Sequence, residues 1–117
     1  MIETLEHGDI REVRLARPPV NALDPGLVDT LLRAFDDAFA ARTRAVVLSG
    51  QPGMFSAGLD VPALLRLDRE RISRFWLAFL ALQNRIAASP VPVIAAITGH
   101  CPDRKSTRLN SSHPYRS

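Results

Sequence analysis

The chain has 117 residues, of which 46% are hydrophobic and 23% charged, and its formal net charge is +3. These proportions are ordinary for a soluble globular domain with a modest core. No apolar run approaches the roughly 20 residues of a membrane span, and the N-terminus has no signal-peptide pattern. The single cysteine, Cys101, cannot form an internal disulfide, which predicts a reducing, cytoplasmic setting.

The first half of the chain predicts two strands followed by a helix. Ile2–His7 and residues 10–16 read as strands, joined by a hairpin turn at Gly8 and Asp9. Asp24 is a good N-cap and Pro25 suits the first helical position, so a helix is expected to follow. The apolar stripe predicted on this helix consists of Leu27, Val28, Leu31, Leu32, Phe35, Ala38 and Phe39.

The second half predicts further elements, so that the whole body reads as an α/β fold of repeated strand–strand–helix units. Residues 44–49 predict a buried strand, and residues 61–67 a short helix. A long helix is predicted over residues 69–88. Residues 93–97 have the continuous apolarity of a central strand. The side chains predicted to face the core from the long helix are Ile72, Phe75, Trp76, Phe79, Leu80 and Ile86.

The positive charge is confined to the end of the chain. Residues 1–102 carry eleven arginines and eleven acidic residues, so their charges cancel, whereas residues 103–117 are basic. This distribution predicts that the body has no nucleic-acid partner. A small basic nucleic-acid-binding protein stays open as an alternative. Its binding would reside in residues 103–117 alone and would weaken steeply with salt.

Residues 103–113 read DRKSTRLNSSH, which resembles the in-frame translation of a common short-read sequencing adapter. The composition also changes here, because Lys105 is the only lysine in the chain. Few apolar side chains are present to offset the conformational entropy that ordering would cost. We therefore predict that residues 103–117 are a non-native or disordered tail, a genuine basic tail being the alternative.

Residues 55–60, with the sequence FSAGLD, lie between a predicted strand and a predicted helix. Ala57 and Gly58 leave the main chain accessible, and Gly58 can adopt a positive φ at no steric cost. We predict that Leu59 N–H meets a ligand carbonyl oxygen, with a second backbone turn beside it at Gly99. Two such donors form an oxyanion hole. In the alternative interpretation this is an ordinary turn, in which Gly58 relieves strain and Asp60 caps the next helix.

Four segments, in this order and spacing, resemble the crotonase superfamily of enoyl-CoA hydratases and isomerases. They are RLARPPVNAL at residues 14–23, RAVVLSG at 44–50, FSAGLD at 55–60 and PVIAAITGHCP at 92–102. Of the family's branches, the enoyl-CoA isomerases are the most similar, because of the GHCP ending. The resemblance implies a truncated crotonase-like fold, in which residues 1–102 form the N-terminal part of the domain.

The same resemblance implies an acyl-CoA substrate of fatty-acid β-oxidation type, with coenzyme A as part of the thioester and no tightly bound cofactor. In the family, a second oxyanion donor and a catalytic glutamate follow the segment matched by residues 99–102, and this sequence departs from the pattern at Asp103. The chain as it stands is therefore expected to be inactive and, at full length, to form a homotrimer or a dimer of trimers. The residues implied to contact the CoA thioester are Arg17, at a phosphate, with Ala22, Ser56, Ala57, Gly58 and Asp60.

The remaining candidates favour structural interpretations. His100 and Cys101 are adjacent and lack zinc-ligand spacing, so no metal site is predicted. Trp76 is predicted to be core rather than a stacking platform. A folded CoA-binding module without catalysis stays open as an alternative, and it would show CoA affinity but no turnover. Arginines at helical spacing beside acidic residues predict a solvated face rather than a patch for CoA phosphates: Arg66, Arg69, Arg71 and Arg74. No catalytic position is matched by Glu3, Glu6, Glu12 or Glu70.

Overall fold

A computed structural model of the chain describes residues 1–97. The turn expected at Gly99, the GHCP segment and the tail at 103–117 lie outside the described residues. The predicted strands and helices are confirmed, with ends within two residues of the predicted ones. In chain order they are β1 (Ile2–His7), β2 (Ile10–Leu15), α1 (Pro25–Ala40), β3 (Ala45–Ser49), α2 (Val61–Leu65), α3 (Arg69–Ala87) and β4 (Val93–Ala96).

The four strands form one mixed sheet in the order β1-β2-β3-β4. The β1–β2 hairpin is antiparallel and turns at Gly8, whose φ of +66° only glycine adopts easily. The β2–β3 and β3–β4 pairs are parallel, and Ser49 lies opposite Ala96 in the second of them. The carboxyl ends of β3 and β4 therefore meet at the same edge of the sheet, where parallel α/β sheets bind ligands.

The core lies between the sheet and helices α1 and α3. Asp24 caps α1 as predicted, because its Oδ1 accepts a hydrogen bond from Leu27 N–H at 2.8 Å. The predicted stripe of α1 is confirmed in outline, although Leu32 and Phe39 are only half-buried and Ala34 joins the core. The buried apolar residues of the core are Val13, Leu15, Leu27, Val28, Leu31, Ala34, Phe35, Ala38, Val46, Leu64, Phe75 and Leu82.

Helix α3 buries a narrower stripe than the sequence predicted. Phe75 and Leu82 are buried, whereas Trp76 is 42% exposed and Leu80 is 57% exposed. The prediction that Trp76 and Leu80 face the core is therefore wrong. Each lies one residue beyond the row of Phe75 and Phe79, about 100° further round the helix, and no segment within residues 1–97 covers that side. Trp76 instead packs edge-on against Phe75, with 5.3 Å between ring centroids.

Strand β4 lies at one edge of the sheet that residues 1–97 form. Among the described residues it pairs with β3 alone, and Ile94 is 37% exposed. Within residues 1–97 the outer edge of β4 is thus unpaired, as expected for a truncated sheet, and its place as a central strand stays a prediction for a sheet that continues beyond these residues. Across the same range, none of the helices is both long enough and apolar enough to cross a bilayer.

Candidate functional site

The turn at residues 55–60 connects the end of β3 to α2 and runs beside the loop at residues 17–23. Leu23 and Leu59 form a parallel bridge, in which Leu23 N–H donates to Gly58 O at 2.7 Å and Asp60 N–H donates to Leu23 O at 2.8 Å. Ala57 N–H donates to a carbonyl of the same loop, at 2.9 Å. The two segments are thus joined by three backbone hydrogen bonds, although they are more than thirty residues apart in sequence.

Between Ala57 and Asp60, Leu59 holds the one N–H group without a partner in residues 1–97. The N–H groups of Ala57 and Asp60 are used in the bridge, and Gly58 N–H donates to Ser56 Oγ at 3.1 Å. The bridge uses both main-chain groups of Leu23, so the N–H of Leu59 points away from that loop. Gly58 has the predicted positive φ, at +91°. This geometry presents Leu59 N–H as a hydrogen-bond donor on the far side of the turn.

Ser56, which the sequence assigned to the CoA site, holds the turn together internally. It is 7% exposed, and its hydroxyl donates to Asn21 O at 2.8 Å while accepting from Gly58 N–H. Because this hydroxyl both donates and accepts a hydrogen bond, Ser56 can be buried in the turn without leaving its polar group unsatisfied. Ser56 therefore supports the backbone around Gly58 from inside the turn.

Arg17 brings together two helix N-caps and the loop between them. Its Nη1 donates to Ala22 O at 2.7 Å, and its Nη2 lies 3.0 Å from Asp60 Oδ2 and 3.1 Å from Asp24 Oδ2. Two carboxylates thus neutralise the guanidinium that the sequence assigned to a CoA phosphate. In this arrangement Arg17 fixes the starts of α1 and α2 relative to each other.

Asp60 performs the capping role of the alternative interpretation. Its Oδ1 accepts from Ala63 N–H at 3.1 Å, which caps α2. This N–H, and after it the Arg17 guanidinium, hold the pKa of Asp60 below its ordinary value, against the opposing effect of partial burial. At neutral pH the carboxylate of Asp60 is therefore ionised, and its oxygens are already bonded to groups within the fold.

Sequence reasoning missed Asn21 as a site residue. Its side chain is fully buried, and it joins the backbone of Arg17 to the backbone of Phe55, at the start of the turn. The sequence feature that could have indicated this role is the position of an amide side chain between two apolar residues, Val20 and Ala22. A buried amide of this kind must have hydrogen-bond partners.

Among the described residues, Glu12 has a carboxyl whose pKa is strongly lowered, and this makes it unsuited to proton transfer at neutral pH. Hydrogen bonds from Ser49, then from His7 and Arg14, lower its pKa from 4.5 to about 2, although burial acts in the opposite direction. A base this weak holds few protons at neutral pH. The structure therefore agrees with leaving Glu12 out of the catalytic candidates.

The four arginines predicted to form a solvated face are exposed, namely Arg66, Arg69, Arg71 and Arg74. Arg74 Nη2 donates to Glu70 Oε2 at 2.7 Å. Arg71 and Arg74 line a cleft of about 400 Å³ between α1 and α3, which includes none of the candidate site residues. Within residues 1–97, no three His, Cys, Asp or Glu side chains are grouped as metal ligands would be.

Comparison with known proteins shows one family. The sequence pattern of the family described as Enoyl-CoA hydratase/isomerase matches residues 6–103. A Thermus thermophilus protein, provisionally named an enoyl-CoA hydratase, is 38% identical over 100 residues, which are 81% of this chain and 40% of that protein.

Solved structures agree with the sequence match. The crystal structure of enoyl-CoA hydratase from Thermoplasma volcanium has a TM-score of 0.77 and 32% identity, and covers 84% of this chain. That of human mitochondrial delta3-delta2-enoyl-CoA isomerase has a TM-score of 0.78 and 26% identity, and covers 86%. The chain spans 40% of the length of each of these two structures. The chain therefore belongs to the enoyl-CoA hydratase/isomerase family, the crotonase superfamily, and has a truncated crotonase-like fold.

Proposed function

We propose that the turn at residues 55–60 supplies one half of an oxyanion hole for an acyl-CoA thioester, with Leu59 N–H as the donor. The observation that carries this proposal is that Leu59 N–H has no partner within residues 1–97, whereas the N–H groups of its neighbours are all bonded. A donor already held in place stabilises negative charge on the thioester oxygen without rearrangement during the reaction.

The position of the turn supports a second donor beside the first. Because Ser49 and Ala96 are register partners in parallel strands, the chain leaves β3 and β4 at the same sheet edge. The chain therefore leaves β4 close to the start of the loop that follows β3, and we propose that the second donor belongs to the residues that come next in the sequence. In the family, the catalytic glutamate and the second donor follow the segment matched by residues 99–102. The carboxylate would move a proton at the α- or γ-carbon, or activate water, while the N–H groups bind the enolate oxygen.

The proposed activity of a chain continued beyond Pro102 is that of an enoyl-CoA isomerase of fatty-acid β-oxidation type, with hydratase as the alternative. The GHCP ending supports the isomerase, and the relatives carry both names. Supplying a 3-enoyl-CoA and a 2-enoyl-CoA separately distinguishes the two: an isomerase moves the double bond of the first, and a hydratase adds water to the second.

Further parts of the proposal concern the rest of the protein. Residues 1–102 belong to the family domain and residues 103–117 lie outside it, so the 117-residue chain should show no turnover. Measurable turnover above a blank by this chain would contradict that. The continued chain is proposed to be a cytoplasmic homotrimer or dimer of trimers. Coenzyme A would lie along the loop of Arg17 and Ala22 and the turn of Ser56, Ala57, Gly58 and Asp60.

The test of the oxyanion proposal changes the donor and not the side chain. In the continued chain, Leu59→Pro removes the N–H and should lower turnover about 10²–10³-fold. Leu59→Ala keeps the N–H and measures the contribution of the side chain, which should be small. Both variants must give the wild-type circular dichroism spectrum and bind a CoA ligand comparably, because proline also constrains the backbone. Near-normal turnover by folded Leu59→Pro would return the turn to a purely structural role.

A further inference from the structure

We propose that Asn21 is a positioning residue, which holds the turn at residues 55–60 so that Leu59 N–H faces the ligand. The inference rests on the proposed function of Leu59. Asn21 is fully buried behind the turn, and it acts through hydrogen bonds to backbone groups on both sides.

Asn21 makes four hydrogen bonds, two to each segment. Toward its own loop, Asn21 N–H donates to Arg17 O at 2.8 Å, and Oδ1 accepts from Arg17 N–H at 2.7 Å. Toward the turn, Nδ2 donates to Phe55 O at 2.9 Å, and Asn21 O accepts from Ser56 Oγ at 2.8 Å. The amide orientation is fixed by its partners, because Oδ1 faces an N–H and Nδ2 faces a carbonyl.

The position makes two demands that asparagine meets together. Its φ is +53°, in the left-handed region that asparagine tolerates better than most residues. Its side chain must also offer an acceptor and a donor at short reach. Glycine meets only the first demand, and an ionised aspartate can accept at both oxygens but cannot donate.

The bonds of Asn21 fix the start of the turn, and other contacts fix the rest. At Gly50, an added Cβ would lie 2.6 Å from Phe55 Cα. The backbone that follows β3 is therefore in close contact with Phe55, the first residue of the turn. The bridge between Leu23 and Leu59 fixes the end of the turn. Both ends of the turn are therefore held in place. The direction of Leu59 N–H follows from these contacts, although none of them is a hydrogen bond to Leu59 N–H itself.

Asn21→Asp is the sharpest perturbation, because it keeps the size and the acceptor but removes the donor to Phe55 O. Asn84→Asp is the matched control, since it makes the same change on the exposed side of α3. Amide hydrogen exchange measured by NMR on the 117-residue chain at pH 7 reports the result. We expect the protection of Ala57 and Gly58 N–H to fall about tenfold or more, as for the loss of one hydrogen bond, and core amides to keep theirs.

Protonation should reverse the effect. Burial raises the pKa of a carboxyl at this position, whereas the Arg17 N–H that donates to it and the Arg17 guanidinium, which is bonded to the neighbouring Ala22 O, act in the opposite direction. In its neutral form the carboxyl regains a donor for Phe55 O. The protection factors of Asn21→Asp should therefore recover between pH 7 and pH 5. Over this range Glu12, with a pKa of about 2, and Asp60, whose pKa is lowered, stay ionised. Unchanged protection at pH 7 would overturn the inference.

If Asn21→Asp does not fold at pH 7, Asn21→Gly replaces it, because glycine keeps the left-handed backbone and lacks the side-chain bonds. Retained protection of Ala57 and Gly58 in folded Asn21→Gly would likewise overturn the inference.

Kinetics of the continued chain separate this inference from the proposed function. A positioning role lowers kcat of Asn21→Asp at pH 7 with little change in CoA affinity, and kcat recovers at pH 5 relative to Asn84→Asp. A loosened turn with normal kcat would refute the oxyanion role of Leu59 and the positioning role with it. A turn that stays protected would refute the role of Asn21 alone.

Discussion

A hydrogen-bonded cluster around Glu12 makes the stability of the sheet depend on pH. Glu12, on β2, accepts from Ser49 Oγ on β3 at 2.6 Å and from Arg14 Nη2 at 3.1 Å, and its other oxygen lies 2.8 Å from His7 Nε2. The Ser49 hydroxyl is the largest cause of the low pKa of Glu12, about 2 against an ordinary 4.5.

Because the pKa of Glu12 is lower in the folded than in the unfolded chain, the unfolded chain binds the proton more readily. The stabilisation is therefore present above pH 4.5 and is lost as pH falls toward 2. A change from 4.5 to about 2 corresponds to roughly 3 kcal/mol of unfolding free energy at pH 7, of which about 2 kcal/mol is lost by pH 3. The side chain of Glu12 is only 14% exposed, so screening by solvent is limited.

Urea unfolding followed by circular dichroism at pH 7 and pH 3 measures this contribution. Between the two pH values, the wild-type chain should lose about 2 kcal/mol more unfolding free energy than Glu12→Gln, which cannot titrate at this position. Glu70→Gln, at an exposed pair on α3, is the matched control and should follow the wild type. An identical pH dependence of the wild type and Glu12→Gln would show that the cluster does not stabilise the fold.

Three further predictions concern the ends and faces of the elements. Arg17→Met leaves two N-cap aspartates without their shared cation, so the amides of Leu27 and Ala63 should exchange faster, and unchanged rates would refute the bridging role. Gly50→Ala places a Cβ 2.5 Å from a backbone oxygen, so the melting temperature should fall, whereas a neutral result would mean that the turn can move aside. Trp76, the single tryptophan, is 42% exposed, and its fluorescence should be readily quenched by acrylamide in the folded 117-residue chain; resistance to quenching would place it in a core.

Local rules were enough to predict the elements and their ends. Asp24 and Pro25 mark the start of α1 because a carboxylate satisfies unpaired N–H groups and proline needs no partner there. Asp60 marks α2 for the same reason. Gly58 was recognisable because few other residues adopt its φ of +91°. In each case the physical cause lies within a few residues of its effect.

The features that escaped prediction depend on distant segments. Asn21 acts on Phe55, 34 residues further along the chain, and no local pattern shows that pairing. Trp76 has the spacing of a core residue, but its burial depends on whether another segment covers that side of α3. The commitment of Arg17 to two aspartates likewise follows from the meeting of two helix N-termini.

The proposed role of Leu59 as an oxyanion donor accounts for the arrangement around it. An N–H that binds a ligand cannot also bond within the protein, and within residues 1–97 Leu59 N–H has no partner. In the proposed role the turn thus gives up one internal hydrogen bond, worth about 1 kcal/mol. The neighbouring groups must then hold the turn, and in this chain they do so through Asn21, Leu23 and the hydroxyl of Ser56. The first and third matched segments, 14–23 and 55–60, therefore form one structural unit. A substitution in the first should alter the chemistry of the third without contacting the substrate.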